Sequence, residues 1–544
     1  MVNPTWRKSD KMSLVSIPTE IIMLITSNLE SSKDIFSLLR ASCKLYSLLI
    51  SELYERNVKS EGGSALVWYA RNGYRLGVRN MLTAGANPNL RDSSRAQSTP
   101  LLEAIRYNHV EIVQILLKNR ALPNAANLYS ERPLTLATRG RSDTFITELL
   151  IDHGAAVNSV AFDKRAPLVE AIRSNQTAKV AVLLRHGADI HILNGREAMS
   201  PLHIAAAKNV APAILKMLLN AGLYVDSLDR QGRTPLQVAV AHSSIRAVRK
   251  LLEYGANASF KNMSEYWRGW TALFFALKPK STKNDNRTII RTLIMHGAPV
   301  DSSNYAHETP LLYAVSRGAT KQAQILLEYG ASITVKNYFG ESVLHLAAWS
   351  FSCHSNMISL LVESGADVNC SSGRDGESPL FYAMRGSPCS KAAEKVQLLL
   401  SLGTNVDFQN IDRLTPLSLA AQMCSVELAN ILLKHGARVN SRDKQGKSPL
   451  HHIAEANFGS ASMVQKFAAL LIQHGADVNS RDNFGYTPLH RAVAREWIWE
   501  TAGDLLNAGA DRCAMSDDGK YPYDMVPAGP WAETQRLFLR HYPV

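Results

Sequence analysis

At 544 residues, with 46% apolar and 20% charged side chains, the chain is too long for one compact core and too apolar for a disordered one. Its 60 basic and 47 acidic side chains leave a net charge of +13. The six cysteines (Cys43, Cys353, Cys370, Cys389, Cys424, Cys513) are scattered with no Cys-x-x-Cys pair. That pattern argues against a disulfide framework or a zinc module, and the expected setting is the reducing cytoplasm or nucleus. No stretch of about 18 apolar residues occurs and the first residues, MVNPTWRKSDKM, hold no apolar stretch of signal-peptide length, so neither a membrane span nor a secretory leader is expected.

In chain order, the first element runs from Ser13 to about residue 58. Ile17-Pro18 followed by Glu20, Ile21, Leu24, Ile25 and Leu29 predicts a proline-initiated helix with an apolar stripe. Asp34, Ile35, Leu38 and Leu39, then Cys43, Tyr46 and Leu49, predict two further short helices. This arrangement resembles the F-box. That resemblance implies three helices docking on the small adaptor of cullin-RING ubiquitin ligases, with Ile17, Pro18, Ile21, Leu24 and Leu29 as the adaptor-binding residues. Ile17 stands for the usual Leu, and Ser42 for a usual apolar residue. The competing reading is a helical cap that only shields the end of the neighbouring domain.

From residue 62 onward the chain repeats. One phrase recurs as Ser98-Thr99-Pro100-Leu101, Ser200-Pro201-Leu202-His203, Thr234-Pro235-Leu236, Thr309-Pro310-Leu311, Thr415-Pro416-Leu417 and Thr487-Pro488-Leu489-His490. About twenty residues after each comes a second, such as LLRHGADIH at 183–191 and LIQHGADVN at 471–479, and most intervals between its glycines are 33 to 35 residues. Thr or Ser before Pro is a helix N-cap followed by the one position that tolerates a missing N–H. Leu and then Ala three residues on share a helix face, and the Gly of the second phrase stops the second helix in a left-handed cap. Asp or Asn with Gly, as in Asp229-Arg230-Gln231-Gly232, turns the chain into the next unit.

These phrases resemble the ankyrin repeat, and the two parts together resemble fungal proteins that join an F-box to ankyrin repeats. The expected fold is all-α: an ankyrin-repeat solenoid of about thirteen helix-turn-helix units over 62–544, ending in a degenerate capping unit at Lys520-Tyr521-Pro522-Tyr523, behind a small three-helix F-box-like domain at 13–58. Local departures are Arg120 for Gly, Ala272 and Val343 for Pro, and Ile453 where a small Ala belongs. Extra residues between the Pro and Gly positions fall at 272–297, 379–403 and 449–475, and they lengthen either the connections or the helices.

Motifs of enzyme chemistry do not survive the repeat register. Gly446-Lys447-Ser448 resembles the end of a P-loop, but Ser441 stands where its first Gly belongs. His203, His345, His451 and His490 hold one register position in separate units, so a structural hydrogen bond within the turn region is expected rather than a metal. His153, His186, His296, His435 and His474 precede the capping Gly, where a cation suits the helix dipole. Asp226 and Asp229 read as turn residues. The expectation is a protein-binding chain with no catalytic residue, cofactor or metal.

Function is then expected in exposed residues outside the register. The turn aromatics Tyr129, Phe162, Tyr266, Trp267, Tyr338, Phe339 and Phe484 are candidates. Residues 61–300 carry 31 basic and 17 acidic side chains, net +14, and within them 201–300 carry 14 and 5, net +9. Arg246, Arg249 and Lys250 share a helix face, while Lys278, Lys280 and Lys283 fall beside Trp267-Arg268-Gly269-Trp270. Tyr266, Trp267, Arg268, Trp270, Lys278, Lys280, Lys283, Tyr338 and Phe339 are therefore the expected partner-binding residues, for an acidic protein target. Nucleic acid is disfavoured, because no binding module is present and aromatics are not interleaved with the basic runs. The leading expectation is the substrate-recognition subunit of an SCF-type cullin-RING ligase. The alternative is a scaffold without that link.

Overall fold

The computed structural model describes residues 54–541, apart from 56, 60–61, 141, 161–165, 279–285, 351–354, 387–388, 457–459, 495–498 and 530–531. Ile17, Pro18, Ile21, Leu24 and Leu29 lie outside the described residues, as do Phe162, Lys280 and Lys283. Among the described residues there are thirteen helix pairs and no strand, only two isolated bridges, Asn194–Met199 and Lys336–Ser342. Two compact units divide between Asn257 and Ala258. The first holds repeats 1 to 6, whose first helices begin at Ala65, Pro100, Pro133, Pro167, Pro201 and Pro235. The second holds repeats 7 to 13, beginning at Ala272, Pro310, Val343, Pro379, Pro416, Pro449 and Pro488, then the closing turn Pro522–Met525 and helix Ala532–His541.

Each repeat is built as its residues dictate. In repeat 6 the Thr234 side chain accepts from the Gln237 N–H at 3.2 Å, while Gln237 Oε1 accepts from the Thr234 N–H at 3.2 Å. Pro235 follows at the first helical position. Leu236, Ala239, Val248 and Leu251 are fully buried between the paired helices and their neighbours, each Leu contributing about 1.5–3 kcal/mol. Gly255 ends the second helix at φ +78°. Arg120 takes the same left-handed turn at φ +66°, so the fold holds its register there without Gly, at a cost of about 1–2 kcal/mol. Ala272 and Val343 start their helices without proline.

The final Asn of the recurring GADVN-like phrase links repeats. Asn124, Asn158, Asn440 and Asn479 each donate to the carbonyl of the next repeat's capping glycine, at 3.0–3.1 Å. Each also accepts from a backbone N–H two residues beyond that glycine, at 2.7–2.9 Å. The register histidines bridge repeats as well. His345, His451 and His490 accept at Nδ1 from the N–H of their own N-cap residue, and they donate from Nε2 to carbonyls of the following turn, Glu377 O, Tyr486 O and Lys520 O. The bond expected within the turn is present, and a second one ties the neighbour.

The three insertions divide between the two devices. The second helices of repeats 10 and 12, Cys389–Ser401 and Ala461–Gln473, grow to 13 residues against the usual nine. In repeat 7 both helices stay short and the connection takes the extra residues. Three first helices run into an extended residue rather than a left-handed one, at Gly140, Lys278 and Ser350. Their last carbonyls are then capped from the side. Buried Lys179 donates to Ala137 O and Gly140 O at 2.8 Å, Asn286 to Ala276 O at 2.8 Å, and buried Lys395 to Ala348 O at 2.9 Å and Ser350 O at 2.7 Å.

Candidate protein-binding surfaces

The exposed candidate aromatics lie in the turns. Tyr266 is 84% exposed and Tyr338 75%, whereas Tyr129, Phe339 and Phe484 are exposed to a lesser degree. Tyr338 meets Phe339 edge-on at 5.6 Å and stacks on His307 at 6.1 Å, forming one aromatic tip. Trp267 and Trp270 behave differently. Trp267 packs 5.0 Å from both Trp270 and Phe275, and Trp270 lies 5.3 Å from Tyr313. The pair builds the base of its own turn, leaving Tyr266 and Arg268 as the projecting members. Lys278 Nζ sits 4.6 Å over the Trp267 ring, a cation–π contact that holds the amine against the turn. Lys250 is paired with Glu253 at 2.7 Å.

Repeats 9 to 12 form a polar groove that the sequence did not single out. One part, of about 670 Å³, is lined by Asp375, Glu377, Arg385, Asp412, Asp443 and Glu455 among others. An adjoining part of about 360 Å³ shares Asp375, Glu377 and Arg385 and adds Glu341, Trp349 and Tyr382. Arg385 reaches Glu377 at 2.8 Å, Lys447 reaches Glu455 at 2.6 Å, and Arg491 reaches Glu455 at 3.0 Å. Burial pushes the Glu377 carboxyl up, against the pull of Arg385. Burial also raises Asp443, but hydrogen bonds from His452 and the turn amides outweigh it and leave this carboxyl below its usual range. Tyr382 donates to Glu341 at 3.0 Å, and burial, aided by that carboxylate, pushes its hydroxyl up to about 12. The signal was present in the sequence: Trp349, Arg385, Gln422 and Glu455 are all six residues after their helix start, at the outer end of the first helix.

A Cys–His contact also emerges that did not stand out in the sequence, with Cys370 Sγ 3.8 Å from His345 Nδ1. It lacks the electronics of a nucleophile. Burial pushes the thiol up and the imidazole down, and Nδ1 already accepts from the Ser342 N–H at 3.1 Å. Among the described residues no group of three or more His, Cys, Asp or Glu could hold a metal ion, and no helix is long and apolar enough to cross a membrane.

The family model described as "Ankyrin repeats (3 copies)" matches residues 36–127, 186–262, 257–337 and 389–482, more than half of the chain, and the single "Ankyrin repeat" model matches 339–372. Human transient receptor potential cation channel subfamily A member 1 is 25% identical over 66% of this chain and 35% of its own length. Ankyrin repeat and SOCS box protein 6 of Pongo abelii is 28% identical over 42% of this chain and 50% of its own. The chain thus spans half or less of these relatives. The crystal structure of the human ASB11 ankyrin repeat domain aligns at 26% identity and TM-score 0.37, over 43% of this chain and 98% of that one. With the repeat register, the helix pairs and the family match in agreement, the chain belongs to the ankyrin-repeat family and is a protein–protein interaction module.

Proposed function

We propose that this chain is the substrate-recognition subunit of a cullin-RING ubiquitin ligase, in which residues 13–58 recruit the ligase adaptor and the repeats hold the target. The observation behind the adaptor half is the Ile17-Pro18-x-Glu20 start with Ile21, Leu24 and Leu29 on one stripe. The target half rests on the groove of repeats 9 to 12 and on the projecting Tyr266, Arg268, Tyr338 and Phe339. The chain's part is to bring two proteins together, with no catalytic group of its own.

Co-purification tests the adaptor half. Ile21→Glu is expected to abolish recovery of the small ligase adaptor while circular dichroism of the repeats stays unchanged. Undiminished recovery overturns the reading. A second reading, in which 13–58 only caps the repeats, is favoured by three observations. Tyr54 is 2% exposed and meets Tyr69 edge-on at 5.9 Å, and Asn57 Oδ1 accepts from the Ala65 N–H at 3.2 Å. The repeat family model, too, begins to match at residue 36.

A further inference from the structure

Repeats 1 to 4 carry an arginine at one and the same helical position. Arg71 lies in the last turn of Ala65–Asn72, and Arg106, Arg139 and Arg173 end the helices Pro100–Arg106, Pro133–Arg139 and Pro167–Arg173. First helices of successive repeats pack on one another, so the four arginines form a row along one face of the first unit. A cation suits a helix C-terminus, yet the fold does not demand one here. Ala207 and Ala241 take this place in repeats 5 and 6.

Three of the four guanidinium groups lean towards the next repeat. Arg71 Nε donates to Glu103 at 2.9 Å, Arg106 Nη2 to Glu131 at 2.9 Å, and Arg173 Nη2 to Asn194 at 3.2 Å. Arg139 and Arg173 are exposed and form no ion pair among the described residues. Two arginine forks at the end of the row are thus accessible to an external carboxylate.

The spacing selects the ligand. Packed helices lie roughly 8–10 Å apart, and a chain in the extended polyproline II conformation returns to the same face every three residues, advancing about 3.1 Å per residue. Every third residue of an extended peptide therefore falls opposite the next arginine. We infer that the open end of the arginine row, Arg139 and Arg173, docks an extended acidic segment of a protein partner, with Asp or Glu three residues apart. At Arg139 and Arg173 a carboxylate meets a planar fork free of any acidic partner among the described residues, which it can engage with two hydrogen bonds, while Arg71 and Arg106 already hold Glu103 and Glu131. Residues 61–257, all in the first unit, carry 24 basic and 15 acidic side chains, and that net +9 draws such a segment in. This rests on the repeats being a protein-binding surface and does not involve residues 13–58, so adaptor recovery and peptide binding fail independently.

The test is fluorescence anisotropy of full-length chain with a labelled decapeptide, Glu-Ser-Gly repeated three times and closed by Glu. A second peptide has the same composition with its four glutamates adjacent, and a third probe is a ten-nucleotide oligo-dT. The spaced peptide should bind about fivefold tighter than the clustered one, and Arg139→Gln with Arg173→Gln should weaken it about tenfold. The charge-matched control, Arg246→Gln with Arg249→Gln on a second helix, should change it less than about twofold. Equal binding of both peptides, or an equal loss in the control, overturns the inference in favour of unspecific attraction. Tighter binding of the oligonucleotide, lost in the Arg139/Arg173 variant, overturns it in favour of phosphate.

Discussion

His451 is fully buried, and burial brings its imidazole down to about 4. Its Nδ1 accepts from Ser448 and its Nε2 donates to the next repeat's Tyr486 carbonyl, so the neutral form with the proton on Nε2 is the one the fold uses. The imidazole is far easier to protonate in the unfolded chain, near pH 6.5. Its contribution is therefore whole above pH 6.5 and is lost as pH falls through about 4, an effect on the order of 3 kcal/mol. His203, His345 and His490 are lowered by burial in the same direction, so repeats that use histidine weaken together on acidification. Repeat 6 uses Gln237 in this place, with a complete capping box. His451→Gln is expected to cost about 1 kcal/mol at pH 7 and to flatten the fall of the melting temperature between pH 6.5 and pH 4. An unaltered pH profile would place the acid sensitivity elsewhere.

At the scale of the helix, a first helix without a left-handed cap takes its donor from outside. Lys179 and Lys395 sit eight residues before their capping glycines, Gly187 and Gly403, where other repeats place Ile214, Ala247 or Leu428. Each follows a repeat whose first helix ends in an extended residue, Gly140 and Ser350 respectively. Burial lowers the Lys179 amine from its usual value, which is the expense of keeping it there. Lys395→Met should fit a place that accepts apolar side chains elsewhere, yet leave the Ala348 and Ser350 carbonyls without their donor. A loss of about 2–3 kcal/mol in denaturant unfolding is expected. A neutral substitution would mean that water reaches these carbonyls. The long second helices of repeats 10 and 12 follow the same logic of local repair, adding a turn to the helix rather than a loose loop.

At the scale of the molecule, stability in a repeat array is a sum of unit and neighbour terms, so damage stays near its site. The C-terminal closure makes this testable. His490 Nε2 donates to Lys520 O at 3.1 Å, and Val526, Ala532 and Leu539 are buried at that end. Removing residues 516–544 is expected to raise amide exchange in repeats 12 and 13 while repeats 1 to 6 keep theirs. A uniform loss of protection would show long-range cooperativity instead. What the sequence determined by itself is whatever is local. Pro after Thr starts a helix, Gly at positive φ ends one, and recurrence every 33 to 35 residues yields the thirteen pairs. Even Arg120, an exception to the Gly rule, keeps its left-handed place because the rest of its repeat fixes the turn. The candidate surfaces were legible only in part. Tyr266, Tyr338 and Phe339 are exposed as their turn positions predict, but Trp267 and Trp270 turn inward upon each other, Phe275 and Tyr313. Composition alone does not say whether an aromatic in a turn finds a neighbour. The groove of repeats 9 to 12, the capping lysines and the arginine row were decided by tertiary structure. Each depends on groups 21 to 48 residues apart meeting across a repeat interface, and only the stacking of one repeat on the next brings them within reach.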